Sequence, residues 1–232
     1  MMFGADVESA ARTHALKDFP KESCGLVVNG GYVPLENIAA DPAKDFRVAD
    51  DAWTAHGVVQ AVIHSHGANE KLAPSADDMM HQISTDVPWG IVRTDGVAAS
   101  KILWWGDFRL EEPLLGRVFI HGVTDCYSAI RSWRWQNHKI KLLDFPREDL
   151  WWDGDLDLYN QNFAKAGYRQ IAASEAKVGD VALITFRSKV PNHGGTLVEG
   201  GLFYHHLQNR LSCREPIGRW QSMISKWLRY EG

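Results

Sequence analysis

Cysteine is scarce in this sequence, and long apolar runs are absent. The three cysteines, Cys24, Cys126 and Cys213, are widely separated and form no Cys-x-x-Cys pair. This pattern argues against a disulfide framework and leaves room for one reactive thiol. Apolar stretches such as residues 181–186 fall far short of the ~20 residues that a membrane-spanning helix requires, so we expect no membrane insertion.

Concentrated positive charge is absent as well. The net charge of −4 and the isoelectric point near 6.2 provide no electrostatic footprint for nucleic acid. No basic run marks a patch for polyanions or for a membrane surface. The first residues include Asp6 and Glu8 and lack the apolar core of a secretory signal. We therefore expect the protein to begin its life in a cytoplasm and to bind no nucleic acid.

What is present is the composition of an ordinary globular protein, with 232 residues of which 45% are hydrophobic. Over residues 1–110 the spacing of apolar residues changes repeatedly between helix-like and strand-like. This pattern predicts an α/β or α+β domain with helices at 6–18 and 75–85 and strands at 24–28, 32–35, 58–64, 89–93 and 99–104.

Glu-Glu-Pro at 111–113 interrupts this pattern and predicts a linker between two domains. After it, helices are predicted at 126–138 and 156–166, and strands at 181–186, 193–198 and 202–207. Helices followed by an antiparallel sheet indicate an α+β domain over 114–232, and the first domain is assigned to 1–110.

Residues with the chemistry of a metal site follow the strand predicted at 58–64. His64 and His66 are two positions apart, so a strand directs both imidazoles to one face. Asp78, in the first turn of the next helix, adds a third ligand and completes a set typical of catalytic zinc. Glu22, just before the strand at 24–28, is then the candidate general base.

Each of these fragments also has a simpler interpretation. Ser75-Ala76-Asp77-Asp78 fits the capping arrangement of an ordinary helix start, which requires no metal. His-x-His pairs also occur by chance on surface strands. The order of a glutamate, a His-x-His after a strand and then Ser-x-x-Asp is a compound pattern, and it favours the metal site.

This order resembles the JAMM (MPN-type) zinc metallopeptidase motif, here Glu22-Ser23-Cys24-Gly25, His64-Ser65-His66 and Ser75-Ala76-Asp77-Asp78. The resemblance implies a mixed sheet flanked by helices and a zinc ion bound by His64, His66 and Asp78. It also implies Glu22 as general base and Ser75 as a residue that stabilises the oxyanion. The loop between His66 and Ser75 is one residue longer than is usual in that family, and Gly67 replaces a proline.

A second set of reactive residue types lies in the other half of the chain. Cys126 follows Asp125 at a predicted helix start, where we expect the helix dipole to lower the pKa of the thiol. His193 and His205 lie on neighbouring predicted strands, where one imidazole can act as base and the other can orient it. His206 would face the opposite way.

A cysteine taken alone is more typical of a buried structural residue than of a nucleophile. Cys24 and Cys213 have no setting comparable to that of Cys126, so we expect both to be packing residues. The two histidines downstream favour Cys126 as the nucleophile and as the most reactive of the three thiols.

The segments His121-Gly122-Val123-Thr124-Asp125-Cys126-Tyr127-Ser128, Val178-Gly179-Asp180-Val181 and Asn192-His193-Gly194 resemble motifs of the NlpC-type cysteine peptidases. The resemblance implies a papain-like α+β fold with Cys126, His193 and His205 as the catalytic set. It also implies the stem peptide of peptidoglycan as the substrate. Tyr-Ser after the cysteine is similar to the phage-tail branch of that family.

The two halves in this order resemble tail-tip assembly proteins of lambda-like siphophages. That likeness implies other tail-tip proteins as partners, residence in the host cytoplasm during assembly or at the virion tail tip, and action on the cell wall at infection. Two alternatives stay open. One is a structural assembly factor with a vestigial JAMM site, and the other is a cellular endopeptidase that remodels the cell wall.

Overall fold

A computed structural model describes residues 2–232 of the chain. These residues form two compact units, 2–74 with His81–Asp107, and Ser75–Met80 with Phe108–Gly232. None of the helices within 2–232 combines the length and the apolar character that a membrane span requires.

The first half of the chain is built on a five-stranded mixed sheet with strand order β2-β1-β3-β4-β5. Strands β3 and β4 are parallel, and the other neighbours are antiparallel. The elements are α1 (Ala5–Asp18), β1 (Cys24–Val28), β2 (Gly31–Leu35), α2 (Ala52–Ala55), β3 (Val59–Gly67), α3 (Ala76–Thr85), β4 (Trp89–Thr94) and β5 (Leu103–Trp105).

Helix α1 covers one face of this sheet and thereby fixes the direction of the side chains on β3. Its buried residues recur at helical spacing and pack against Ala61 and Ile63 of β3. Because side chains alternate along a strand, His64 and His66 point in the direction opposite to that of Ile63. His64 and His66 therefore share the face of the sheet that α1 does not cover.

The second half contains a six-stranded antiparallel sheet with strand order β10-β9-β8-β7-β11-β6. Its elements are α4 (Cys126–His138), α5 (Leu158–Asn162), β6 (Tyr168–Ile171), β7 (Val181–Ile184), β8 (His193–Val198), β9 (Leu202–His205), β10 (Cys213–Pro216) and β11 (Ile224–Tyr230). Short 3-10 helices lie at Asp107–Glu111, Trp151–Asp153, Ala173–Glu175, Glu199–Gly201, Ile217–Arg219 and Gln221–Met223.

Both faces of this sheet are covered. Helix α4 packs on one face through Ile130 and Trp133, and Trp220 packs on the other against Ile184 and Phe203. All four residues of β7 are buried, as expected for a central strand with apolar neighbours on both sides.

Several predicted elements differ from those observed. The helix predicted at 156–166 is limited to Leu158–Asn162, because the chain turns before Gly167, which has a φ of 83°. The strand predicted at 99–104 begins only at Leu103, since Ala99 makes a single isolated bridge with Thr94. Helix α2 and strands β6, β10 and β11 were not predicted.

The segment predicted as a linker is hydrogen-bonded to α4. Trp135 Nε1 donates to Glu111 Oε1 at 2.7 Å, and Gln136 Nε2 donates to the carbonyl oxygen of Glu112 at 2.7 Å. The proposed domain limits, 1–110 and 114–232, stay a prediction.

The start of α4 is held by a buried carboxylate. Asp125 accepts hydrogen bonds from the backbone N–H groups of Ser128 and Gly122, both at 2.9 Å. Arg147 donates to both carboxylate oxygens, from Nε at 2.7 Å and from Nη2 at 3.1 Å. Burial alone would raise the pKa of Asp125, but the charge and hydrogen bonds of Arg147 outweigh it and hold that pKa well below its usual range. The pair is therefore ionised and fixes the position of the residue that follows Asp125.

Replacing Arg147 with methionine should destabilise the C-terminal unit by about 3–5 kcal/mol, because it leaves the Asp125 carboxylate buried without its counter-charge. Urea denaturation followed by circular dichroism measures the change. Arg169→Met is the matched control, since its ion pair with Glu231 is half exposed, and such surface pairs contribute less than about 1 kcal/mol. Equal effects of the two substitutions would contradict a structural role for the buried pair.

Candidate functional site

The first predicted cluster comes together in the structure. The Nε2 atoms of His64 and His66 lie 3.0 Å apart, and both side chains are buried. One ligand atom from each of His64, His66 and Asp78 lies within 4.8 Å of the others. Two imidazole nitrogens and one carboxylate oxygen at this separation are a donor set that zinc accepts.

The surroundings of the histidines also fit a metal. Nδ1 of His66 lies 3.1 Å from the carbonyl oxygen of Lys71, which can only accept a hydrogen bond. Nδ1 therefore carries the proton, and Nε2 keeps its lone pair, as a metal-binding histidine requires. The ring of Phe46 stacks on His64 with centroids 4.6 Å apart, which restricts the orientation of that imidazole.

Glu22 is buried immediately before β1. Cys24 pairs with His64 across β1 and β3, and the backbone of Ser65 donates to the carbonyl of Ser23 at 2.9 Å. Continuing this antiparallel register places Glu22 next to His66 along the strand pair. The predicted base thus lies at the same end of the sheet as the histidine pair.

Ser75 and Asp78 form the capping arrangement that was the simpler interpretation of this motif. The backbone N–H and hydroxyl of Ser75 each donate to Asp78 Oδ2 at 2.8 Å, and the Asp78 N–H donates to Ser75 Oγ at 3.1 Å. Asp78 therefore belongs both to the helix start and to the group that could hold a metal. The position of its carboxylate is set by the cap.

The second cluster lines a cleft of about 400 Å³ in the C-terminal unit. Cys126, the first residue of α4, and His193, the first residue of β8, both border this cleft, together with Trp151. The thiol of Cys126 lies 3.2 Å from the hydroxyl oxygen of Tyr159 on α5. Burial raises the pKa of Tyr159 well above its usual value, so this hydroxyl keeps its proton.

A row of hydrogen bonds extends from His193 into the protein. His193 Nε2 lies 2.9 Å from His205 Nδ1, and His205 Nε2 lies 2.9 Å from Glu215 Oε1. Trp220 Nε1 donates to the same glutamate oxygen at 3.0 Å. All three members of the row are buried. Strand pairing of β8, β9 and β10 produces this alignment.

The protonation states of His193 and His205 follow from that of Glu215, the last member of the row. Burial opposes ionisation of Glu215, but the Trp220 hydrogen bond and the neighbouring His205 lower its pKa, so the carboxylate is charged. Burial lowers the pKa of His205 to about 4 despite that charge, and lowers the pKa of His193 as well. Both imidazoles are therefore neutral at neutral pH, and each carries one proton.

Glu215 can only accept, so His205 must carry its proton on Nε2. Its Nδ1 then accepts, and His193 must carry its own proton on Nε2. Nδ1 of His193 is left with a lone pair. The row of hydrogen bonds thus holds His193 in the tautomer with its proton on Nε2 and its lone pair on Nδ1, as a general base requires.

The pKa predicted for Cys126 is wrong in direction. Removal of the thiol from water raises its pKa to about 11, and the negative charge of Asp125 acts the same way. Hydrogen bonds from Tyr159 and from the Gly194 backbone oppose this shift without cancelling it. The resting thiol is consequently neutral, because burial and the Asp125 carboxylate together outweigh these hydrogen bonds.

The other two cysteines differ from each other. Cys24 is fully buried, as expected of a packing residue. Cys213 is partly exposed, and its Sγ lies 3.7 Å from Nε2 of His205, so it is not simply a packing residue. His206, predicted to face the opposite way, lines the same cleft as Cys126 and His193, and its Nε2 lies 3.1 Å from the carbonyl oxygen of Arg210.

Glycine allows β8 to pass close to its neighbours. A Cβ at Gly195 would lie 2.5 Å from the carbonyl oxygen of Tyr204 and 2.8 Å from Cβ of His205. No side chain fits at that separation, so the close approach of β9 requires glycine at position 195. This close approach brings His193 and His205 within hydrogen-bond distance.

Three residues of this site were not identified from the sequence. They are Tyr159, Arg147 and Glu215, which act on Cys126, Asp125 and His205, respectively. Glu215 had a usable signal, since Cys213 and Glu215 alternate in Cys-Arg-Glu-Pro, but the strand there was not predicted. Tyr159 and Arg147 lie on elements without a sequence pattern that points to the cleft.

Family comparisons match the chain in two separate segments. Prok-JAB, described as prokaryotic homologs of the JAB domain, matches residues 4–105, and the NlpC/P60 family matches residues 115–229. The order and the fold classes predicted from the sequence are thereby confirmed, with a JAB-like mixed sheet first and an NlpC/P60 domain second.

Two relatives match most of the chain. Tail tip assembly protein K of Escherichia phage N15 is 31% identical over 239 residues, which cover 96% of this chain and 93% of the relative. The protein of the same name from Escherichia phage lambda is 36% identical over 166 residues, or 71% of this chain and 78% of that one. A solved lipoprotein-like NLP/P60 protein from Staphylococcus aureus matches 51% of this chain and 38% of its own at 18% identity, with a TM-score of 0.35. The chain belongs to the family of tail tip assembly protein K.

Proposed function

We propose that the C-terminal domain hydrolyses peptide bonds in the stem peptides of peptidoglycan, with Cys126 as nucleophile, His193 as base and His205 as orienting residue. The observation that carries this proposal is the row His193–His205–Glu215, which starts in the cleft that Cys126 borders. The NlpC/P60 match supports the reaction class, a cysteine peptidase or amidase.

In the first half of the reaction, Sγ of Cys126 attacks the peptide carbonyl carbon while its proton passes to Nδ1 of His193. Cys126 and His193 are both neutral before the reaction. The proton is therefore transferred during the attack, because the thiol does not ionise on its own at neutral pH. As His193 becomes positively charged, His205 and the Glu215 carboxylate stabilise it through the row.

The carbonyl oxygen gains negative charge during the attack. Backbone N–H groups in the first turn of α4 have no partner within the helix and point toward its N-terminal end, where Cys126 lies. The protonated Tyr159 hydroxyl, 3.2 Å from Sγ, donates to the sulfur and stabilises charge there.

The tetrahedral species collapses when His193 returns its proton to the leaving amine nitrogen and the C–N bond breaks. A thioester on Cys126 remains. Water then attacks the thioester carbon and gives a proton to His193, the C–S bond breaks, and that proton returns to the sulfur. The cleft is also lined by the aromatic residues Trp151 and Trp152, which suits a peptide rather than a small ion.

We propose that this domain works in the context that the names of the relatives describe, assembly of a phage tail tip. The partners would be other tail-tip proteins and the stem peptide of the host cell wall. The protein would reside in the host cytoplasm during assembly or at the virion tail tip, and it would act on the wall at infection.

The N-terminal domain is proposed to be a zinc peptidase. His64, His66 and Asp78 would hold the ion, and a zinc ion there supplies Lewis-acid activation of water. Glu22 would take the proton of the attacking water, because it lies beside His66 along the β1–β3 pair. Ser75 donates its hydroxyl proton to Asp78 Oδ2 in the resting structure, and it would stabilise the oxyanion by turning that proton toward it.

A structural assembly factor with a vestigial JAMM site is the second candidate. The observation that favours it is the reciprocal cap between Ser75 and Asp78, which fully accounts for these two residues as a helix start. Metal content separates this candidate from the zinc peptidase.

Cys126→Ser should reduce the release of peptides from purified peptidoglycan by at least about a thousandfold, because the weaker nucleophile cannot be activated by the same base. Mass spectrometry of the soluble products identifies the bond. Cys24→Ala is the matched control and should keep the activity, since Cys24 lies in the other unit. Full activity of Cys126→Ser would refute the cysteine-peptidase proposal.

Alkylation of Cys126 by iodoacetamide should accelerate roughly tenfold for each pH unit between about pH 7 and pH 10. Only the thiolate reacts, and the pKa of this thiol is raised to about 11, so ionisation is still incomplete throughout that range. Mass spectrometry of the Cys126 peptide measures the rate. In the urea-unfolded chain the rate should level off near the ordinary cysteine pKa of about 8.5. A plateau below about pH 8 in the folded protein would show a stabilised thiolate instead.

The chain purified without chelator should contain about one zinc ion, and combined substitution of His64 and His66 with alanine should remove it. Elemental analysis of the dialysed protein gives the ratio. His56→Ala, which changes a histidine on the same unit outside the cluster, should keep the metal. A metal-free wild type that cannot be loaded with zinc would support the structural candidate.

A further inference from the structure

The edge strand β10 brings a second trio of metal-binding residue types together. Cys213 pairs directly with His205 on β9. Glu215, two positions further along β10, projects to the same face because side chains alternate. Strand register therefore places a thiol and a carboxylate next to the same imidazole nitrogen, Nε2 of His205.

The distances suit a shared ion. His205 Nε2 lies 2.9 Å from Glu215 Oε1 and 3.7 Å from Cys213 Sγ, and one ligand atom from each residue lies within 4.8 Å of the others. Nitrogen, sulfur and carboxylate oxygen are the three ligand types that zinc binds in proteins. β10 is the terminal strand of its sheet, and Cys213 is partly exposed, so an ion can reach the group from solvent.

We propose that His205, Cys213 and Glu215 form a divalent-metal site of the zinc class that switches the peptidase off. The inference rests on the proposed function of Cys126 and His193 and adds a means of regulating them. It is separate from the group His64, His66 and Asp78, which lies in the N-terminal half.

The switch follows from the positions of protons in the row. A metal that binds Nε2 of His205 replaces the proton held there, and the single proton of that imidazole moves to Nδ1. Nδ1 then donates to Nε2 of His193, which must accept, and the proton of His193 moves to its own Nδ1. The base has lost its lone pair and cannot receive the proton of Cys126. No proton leaves either ring, and Cys213 releases its thiol proton to water as it binds.

Two arginines make the binding reversible. Arg219 Nη1 lies 3.3 Å and Arg210 Nη2 lies 3.6 Å from Glu215 Oε2. The metal would bind the other oxygen, Oε1, in place of the His205 hydrogen bond and beside the one from Trp220. Both guanidinium groups are largely exposed, and their positive charge weakens the attraction of a cation without blocking the position. We expect a site that fills and empties with the metal concentration.

Cobalt binding tests the ligands without any enzyme assay. In the full chain with His64→Ala and His66→Ala, added Co²⁺ should produce a thiolate-to-cobalt charge-transfer band. Adding Cys213→Ser should abolish the band, whereas Cys24→Ser should leave it unchanged. If Cys126→Ser removes the band and Cys213→Ser does not, the metal binds the nucleophile instead, and the proposal is wrong.

Peptide release from purified peptidoglycan tests the switch. In the same background, Zn²⁺ should slow this release by at least about tenfold, because loss of a general base typically removes that much or more. Cys213→Ser should abolish this sensitivity to zinc.

The outcomes separate the two proposals. A cobalt band that depends on Cys213 in a chain that cleaves no peptidoglycan would support the metal site and refute the peptidase. Peptidase activity that is insensitive to zinc, in a chain without the band, would refute the metal site alone. Inhibition that persists in Cys213→Ser would place the inhibitory metal elsewhere and overturn the switch.

Discussion

The buried carboxylate of Asp125 is the interaction on which the C-terminal site depends. It caps α4, holds the preceding turn at Gly122 and neutralises Arg147, and so fixes the backbone immediately before Cys126. Burial raises the pKa of the neighbouring thiol, and the negative charge of Asp125 adds to that shift. The nucleophile is therefore protonated at rest, so reactivity has to come from the base and not from a preformed thiolate.

The base is organised by a carboxylate at the other end of the site. Glu215 orders the protons of His205 and His193 because it can only accept a hydrogen bond. Any polar residue in the place of His205 could orient His193. Because His205 is a histidine, it has a second nitrogen, and the direction of the hydrogen bonds along the row depends on what contacts that nitrogen. This dependence is what allows a site at the strand edge to influence chemistry in the cleft.

The sequence predicts the site best where the chemistry is carried by local spacing. The pair His64 and His66 needs only the alternation of one strand, and α4 begins at Cys126 as its capping residue indicates. Helix α4 and the central strands β3 and β7 were found for the same reason, since their apolar residues recur at a recognisable spacing or form short runs. Prediction failed at β10 and β11, where β10 is short and ends in Pro216, and β11 carries apolar residues on both faces.

Contacts that join distant segments could not be derived from one sequence. Tyr159 reaches Cys126 only because α5 and α4 border one cleft, and no spacing rule connects residues on different elements. The pKa of Cys126 illustrates the same limit. The helix dipole is a local feature and was anticipated, whereas desolvation is a property of the folded surroundings, and it is the larger effect. Local rules identify which residues can react, and the tertiary environment decides their protonation state.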